Sequence, residues 1–388
     1  MPEDLKTALS PVHDHPDDPQ QEPTTGVALC MSGGGYRAML FHLGALIRMN
    51  QLGFLRKLTR VSSVSGGSIT NGVLGLNWKE LIFDASGVAT NFDDQVTKPI
   101  RGMASDSIDV SSILEGIFGG VSKHVADHYN QYLYKKATLQ DLPNDDEGPR
   151  FIFNSTSLQT GTLWRFSKPY MGNYKVGLVM KPTVQLATAV ASSSAFPPLL
   201  SPCLLNLDPN QFDPNVQPPP PITSADFRKQ IALADGGVYD NLGLETAWKR
   251  CRMVLVSNGG GALSSEPDPK YDWISQTNRI LMIVYSQVVS LRTRSIIELY
   301  KLGVRDGAYW GIGSDILNYQ LQDALVCPIK DTTALAETAT RLTAVKDDVQ
   351  EQLIDWGYAI CDAAMRKHVL QGAPAPDRSR YGTFHKPN

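Results

Sequence analysis

Val61-Ser62-Ser63-Val64-Ser65-Gly66-Gly67-Ser68 passes abruptly from a strand-prone stretch to paired glycines, with Ser65 at the switch. A strand that ends in so sharp a turn exposes the serine at its tip, and Ser65 is therefore a candidate nucleophile. Ser63 stands where the G-x-S-x-G elbow has its first glycine, and Ser-Gly pairs are also common in ordinary turns, so the octapeptide alone admits either reading. Two other glycine-rich turns fit around it, each directly after a short β-prone stretch. Ser32-Gly33-Gly34-Gly35-Tyr36-Arg37 follows residues 27–30, and Asp235-Gly236-Gly237 follows residues 231–234. In open parallel sheets ligands bind beyond the carboxyl ends of the strands, so the three turns are expected to meet at one sheet edge.

A serine hydroxyl is a weak nucleophile at neutral pH and needs a base within reach, together with donors for the oxyanion of the tetrahedral intermediate. Asp235 can be the base. The amides of Gly33, Gly34 and Gly35 can turn inward without side-chain obstruction, and the helix expected over residues 37–52 points its positive end at the same place. The segment from Gly33 to Ala38 also satisfies the G-x-G-x-x-[GA] dinucleotide pattern. That reading needs an acidic residue about 20 positions on to hold a ribose; Ser62, Ser63 and Ser65 stand there instead, with Arg60 before them. Histidine is the commonest general base, yet no histidine has a glycine-turn setting. His42, about two turns into the helix, reads as structural. His124 and His128 share a helical spacing without an acidic or cysteine partner at ligand distance, so no metal is invoked.

The three turns together resemble those of the patatin-like phospholipase family, and Ser32-Gly33-Gly34-Gly35-Tyr36-Arg37-Ala38-Met39 is especially similar to the first motif of cytosolic phospholipase A2 catalytic domains. The resemblance extends to residues 154–161, to Ala191-Ser192-Ser193-Ser194-Ala195-Phe196-Pro197-Pro198, and to Asp235-Gly236-Gly237-Val238-Tyr239-Asp240-Asn241. It covers roughly residues 24 to 260. It implies a three-layer α/β/α fold with a central, mostly parallel sheet and inserted cap or lid segments. It further implies a Ser65–Asp235 dyad, an oxyanion hole from the Gly34 and Gly35 amides together with Gly33, and substrate-phosphate support by Arg37. Ser63, Gly66, Gly67, Gly236 and Gly237 complete the motifs, and no cofactor is implied. The activity implied is a lipid acyl hydrolase (phospholipase A, lipase or carboxylesterase) working through an acyl-serine. The alternatives are an acyltransferase using the same intermediate and a non-catalytic lipid-binding protein.

The remaining sequence bounds these expectations. At 388 residues the chain can bury a large core. A formal net charge of −3 provides no basic stripe for nucleic acid. Five scattered cysteines form no disulfide or zinc pattern, and Cys30, inside an apolar strand, reads as buried. Residues 1–23 are expected as a disordered polar tail without a secretory signal, and residues 24–388 as the catalytic domain. Within it, residues 80–150 are expected as an inserted cap or lid region and residues 262–388 as a helical completion. Ile113, Leu114, Ile117, Phe118 and Val121 follow helical spacing, as either a mobile lid or a helix packed on the core. Residues 215–222 read as a surface connection with no partner. The apolar stretch 280–285 reads as a core helix or strand, and no span of about 18 apolar residues is seen. The expected setting is cytoplasmic or peripheral to a membrane, with a lipid or ester as substrate and contact at the membrane surface. Oligomeric state is not legible.

Overall fold

The apolar run Val27-Ala28-Leu29-Cys30-Met31 lacks the polar alternation of a surface strand, as suits a parallel strand covered on both faces. In the computed structural model, which describes residues 24–108, 120–217, 219–261 and 263–387, this run lies in the middle of the sheet. The tail expected at residues 1–23 and most of the apolar stretch at 113–121 lie outside the described residues. In chain order the strands are β1 (Thr24–Met31), β2 (Arg60–Ser63), β3 (Arg150–Ser157), β4 (Thr162–Phe166), β5 (Tyr170–Asn173), β6 (Gly177–Met180), β7 (Cys203–Asn206), β8 (Gln230–Asp235), β9 (Cys251–Asn258) and β10 (Asp306–Gly311). The helices are α1 (Gly35–Gln51), α2 (Gly66–Leu76), α3 (Lys98–Ala104), α4 (Gly120–Tyr129), α5 (Leu186–Ser193), α6 (Gly237–Asp240), α7 (Trp273–Lys301), α8 (Ile329–Ala336) and α9 (Asp347–His368).

The sheet runs β10-β9-β1-β2-β3-β4-β5-β6. Neighbours from β10 to β3 are parallel, and β3 to β6 form an antiparallel meander. The side chains of β1 divide by the period of two: Leu29 and Met31 enter one apolar cluster, Ala28 and Cys30 another on the opposite face. The first cluster holds α1, α2 and α9; the second holds Ile296 of α7 and the segment around Leu242 and Leu244. The result is the expected α/β/α layering around a mostly parallel sheet.

One departure from parallel pairing positions the site. Along β3, residues 150–153 pair with β2, and residues 155–157 pair with β8, which runs antiparallel. Because β4 occupies the other edge of β3 over residues 153–157, β8 must continue the row of β2. Ser63 lies opposite Phe153 and Asp235 opposite Ser155. The two strands therefore run toward each other and meet end to end, bringing the turn after Ser63 to the turn after Asp235 across the sequence.

Beyond Gly261 lie the helices α7, α8 and α9, and the segment after α7 also contributes the edge strand β10. The stretch 280–285 is helical, as one of its two readings allows, but it is not core. Ile280, Ile283 and Val284 are exposed, and Ile296 is the sole fully buried residue of α7. By length and composition α7 is also sufficient to cross a membrane, with mean hydropathy 1.3 over an 18-residue window, contrary to the expectation that no segment comes near this. The period of an apolar stripe shows that a face exists; it does not show whether a further layer covers it.

Candidate active site

Ser65 caps α2 directly after β2 with φ 50° and ψ −120°. Positive φ is costly for a non-glycine residue, by about 1–3 kcal/mol, and persists where the surroundings over-determine it. Here those surroundings are explicit. The Ser65 amide donates to Ser193 Oγ at 3.0 Å, and Ser193 donates to the Asn154 carbonyl at 2.6 Å. Asn154 Nδ2 donates in turn to the Ser63 carbonyl at 2.9 Å. Ser63, the residue in the glycine position of the elbow, buries its hydroxyl against the Ile152 carbonyl at 3.1 Å and accepts from Asn71 Nδ2 at 2.8 Å. A polar side chain at this position is therefore satisfied within the core. Gly66 allows the elbow to close: a Cβ there would sit 2.1 Å from the Gly35 carbonyl oxygen.

Asp235 is the last residue of β8 and is buried. Its carboxylate accepts the Gly237 amide at 2.7 Å, and the Ser65 hydroxyl lies beside it on the lining of the same cavity. Burial pushes its pKa up to about 7, with those two groups opposing the rise. A carboxylate so placed is a stronger base than an exposed one and remains close to half ionised at neutral pH.

The glycine loop lies against the same point. Gly34 and Gly35 have φ 143° and 61°, values that suit glycine, and both border the cavity shared with Ser65 and Asp235. Among the described residues neither amide has a hydrogen-bond acceptor. Gly33 departs from the expected trio: its amide is held by Asn241, whose Oδ1 accepts at 3.1 Å. Gly33 thus ties the loop to the Asp235 turn, and the two following amides are left for an oxyanion. Asn241, the last residue of the third motif, acquires a definite positioning role that the sequence pattern did not specify.

Arg37 is buried. Its Nε donates to the Gly259 carbonyl and Nη1 to the Thr338 carbonyl, and Nη2 has no partner among the described residues. Burial lowers its pKa to about 10, which leaves it charged. The guanidinium borders the cavity next to Gly34. His42 is structural, as its position suggested. Nε2–H donates to the Ser32 carbonyl at 2.9 Å and Nδ1 accepts from Ser257 at 2.8 Å, while burial holds the ring neutral with a pKa of about 4. Ser32 Oγ in turn accepts the Gly259 amide at 2.8 Å.

The cavity measures about 580 Å³. Its walls include Phe196, Leu199, Met282 and Tyr285, so a mostly apolar chamber ends in a polar tip formed by Ser65, Asp235 and the two glycines. Residues 340–342 close one side, held by the Tyr36 amide donating to the Arg341 carbonyl at 3.0 Å. No local motif marked these residues or Tyr285, because they reach the site through folding across the chain. Ser193 carried a signal, since it lies in the small-residue run before Pro197.

An open α/β sheet with an elbow serine facing a buried aspartate and a glycine loop defines the class. Within it, the chain belongs to the patatin-like phospholipase family, whose model matches residues 29–248 and so contains all three motifs. No curated protein matches the chain. Among solved structures it is similar to human GIVD cytosolic phospholipase A2 at 13% identity and TM-score 0.49, covering 94% of this chain and 63% of that one. The same protein in complex with methyl gamma-linolenyl fluorophosphonate gives 13% identity and TM-score 0.49, with 94% and 60% covered. VipD from Legionella pneumophila gives 17% identity and TM-score 0.34, with 86% and 67% covered. The chain spans less than two thirds of the length of the phospholipase A2 chains it matches.

Proposed function

We propose that this protein is a lipid acyl hydrolase that cleaves carboxylic esters through a Ser65–Asp235 dyad and an acyl-serine intermediate. The observation that carries this reading is the convergence of Ser65, the buried Asp235 carboxylate and two unoccupied glycine amides at the tip of one apolar cavity. Ser65 Oγ attacks the ester carbonyl as Asp235 takes its proton. The developing oxyanion is held by the Gly34 and Gly35 amides, each such donor being worth about 3 kcal/mol in the transition state. Collapse expels the alcohol, which receives the proton from Asp235, and leaves acyl-Ser65. Water then attacks the acyl carbonyl while giving a proton to Asp235, and the fatty acid departs as Ser65 recovers its proton. The apolar walls suit an acyl chain, and the charged Arg37 beside the oxyanion loop suits a phosphate-bearing substrate.

Intact-mass analysis after treatment with a lipid-like fluorophosphonate, with mapping of the labelled peptide, tests the assignment. Wild type is expected to take one label at Ser65. Ser65→Ala is expected to take none and to lose ester turnover while keeping its melting temperature. Retained turnover in purified Ser65→Ala would remove the assignment.

A further inference from the structure

Among the described residues, helix α7 leaves an apolar face without a partner. Trp273, Ile280, Ile283, Val284 and Leu291 are between 43 and 81% exposed. They recur at helical spacing and form one outward stripe about 27 Å long at 1.5 Å per residue. Between Arg279 and Arg292 the helix carries no charge. Exposed apolar surface of this extent marks a docking site for a protein or a membrane.

Continuity with the cavity decides between these occupants. The other side of the same helix supplies Ile274, Met282 and Tyr285 to the cavity wall, and the exposed Leu199 stands on the cavity lining as well. Ile274 and Leu199 are both exposed and part of the cavity lining, so apolar surface beside the stripe continues into the cavity. A protein seated there would cover the entrance, whereas a lipid surface would present acyl chains to it.

The helix is also fastened to the domain. Arg292 pairs with Glu245 at 2.9 Å and with Asp240 at 3.6 Å, and Tyr300 donates to the Val254 carbonyl at 2.6 Å. A helix fastened to the domain through its C-terminal third is suited to lie in the interface with its free side among headgroups and upper acyl chains.

We propose that the outward face of α7 seats this protein on a lipid bilayer surface, with the cavity mouth turned toward the lipid. The inference deepens the acyl-hydrolase reading and rests on it for the direction of substrate entry; the binding itself is measured without turnover.

Sedimentation with phosphatidylcholine vesicles compares wild type with Ile280→Asn/Ile283→Asn/Leu291→Asn, substitutions outside the cavity lining. Wild type is expected to partition to vesicles, and the variant to lose at least about tenfold in partitioning while turning over a water-soluble short-chain ester as wild type does. Equal partitioning of the two proteins, or wild type remaining in the supernatant, overturns the proposal. So does a wild-type dimer that the triple variant dissociates, which would make the face a contact between copies. Quenching by brominated phosphatidylcholine keeps the question open to refutation should the variant fold poorly. Trp273 is the exposed tryptophan of the described chain, so Trp273→Phe is expected to lose most of the quenching, and undiminished quenching overturns the proposal. Vesicle binding through α7 with no ester turnover by wild type would instead sink the hydrolase reading and leave the docking surface standing.

Discussion

Asp235 and Arg37 show how burial sets the chemistry of single residues. Desolvation raises Asp235 to about 7, so in the proposed mechanism the base is ionised above that pH and protonated below it. The kcat/KM for a soluble ester should therefore rise with pH through about 7 and fall about tenfold per pH unit on the acid side. A profile flat from about pH 5 to 8 would show that Asp235 is not the base. Arg37 has two anchored nitrogens and one without a partner among the described residues. Arg37→Ala removes the tie to the Thr338 carbonyl whatever the substrate, but removes a charge-assisted contact only from a phosphate-bearing one. The kcat/KM on a phospholipid should accordingly fall about tenfold or more beyond the fall on a neutral ester. Equal losses on both substrates would leave Arg37 a purely structural role.

At the scale of elements, α1 carries the glycine loop and is buried from Gly35 to Asn50. Its contact with α9 runs backbone to backbone: a Cβ at Gly44 would sit 1.8 Å from the Ile354 carbonyl oxygen, and one at Gly357 1.9 Å from that of Phe41. Alanine is better than glycine in a free helix by about 1 kcal/mol, but here the backbones would have to separate, and overpacking of this kind costs about 1–3 kcal/mol or more. Gly44→Ala should therefore destabilise the protein in urea unfolding. A gain in stability would mean that the two helices can part without loss. Both helices are legible from apolar spacing, whereas their closeness is not, since glycine inside a helical pattern reads locally as a weak point.

Across the whole molecule, two buried groups near the site titrate in opposite senses. The folded pKa of Asp235, about 7, lies above the unfolded value, so its contribution to stability is present at low pH and is lost as pH rises through 7. The folded pKa of His42, about 4, lies below the unfolded value, so its contribution is present above about pH 6.5 and is lost as pH falls toward 4. Between about pH 4 and 6.5 the two slopes, each about 1.4 kcal/mol per pH unit, oppose each other. Asp235→Asn should raise Tm at about pH 8 and expose a steeper acid-side loss than wild type. Parallel Tm curves for the two proteins would remove this linkage. The α7 surface belongs to the same scale, because it exists only where the packed domain leaves one helix face uncovered.

The three glycine turns, the strands before them, the helices after the first two and the family to which they belong were all legible in the amino-acid sequence. Each of these depends on backbone conformation over a few residues, which glycine placement and apolar period encode directly. The sequence also marked His42 as structural and Ser65 and Asp235 as the candidate pair. Only in the folded chain does β8 meet β2 head-on along β3, does Asn241 take the Gly33 amide, and do residues 338–342 lie over the glycine loop. Only there is Ser63 satisfied by Ile152 and Asn71, and only there is α7 a wall of the cavity with a bare outer face. These features join residues far apart in the chain, where local spacing carries no information and the competition among buried polar groups for partners sets the outcome.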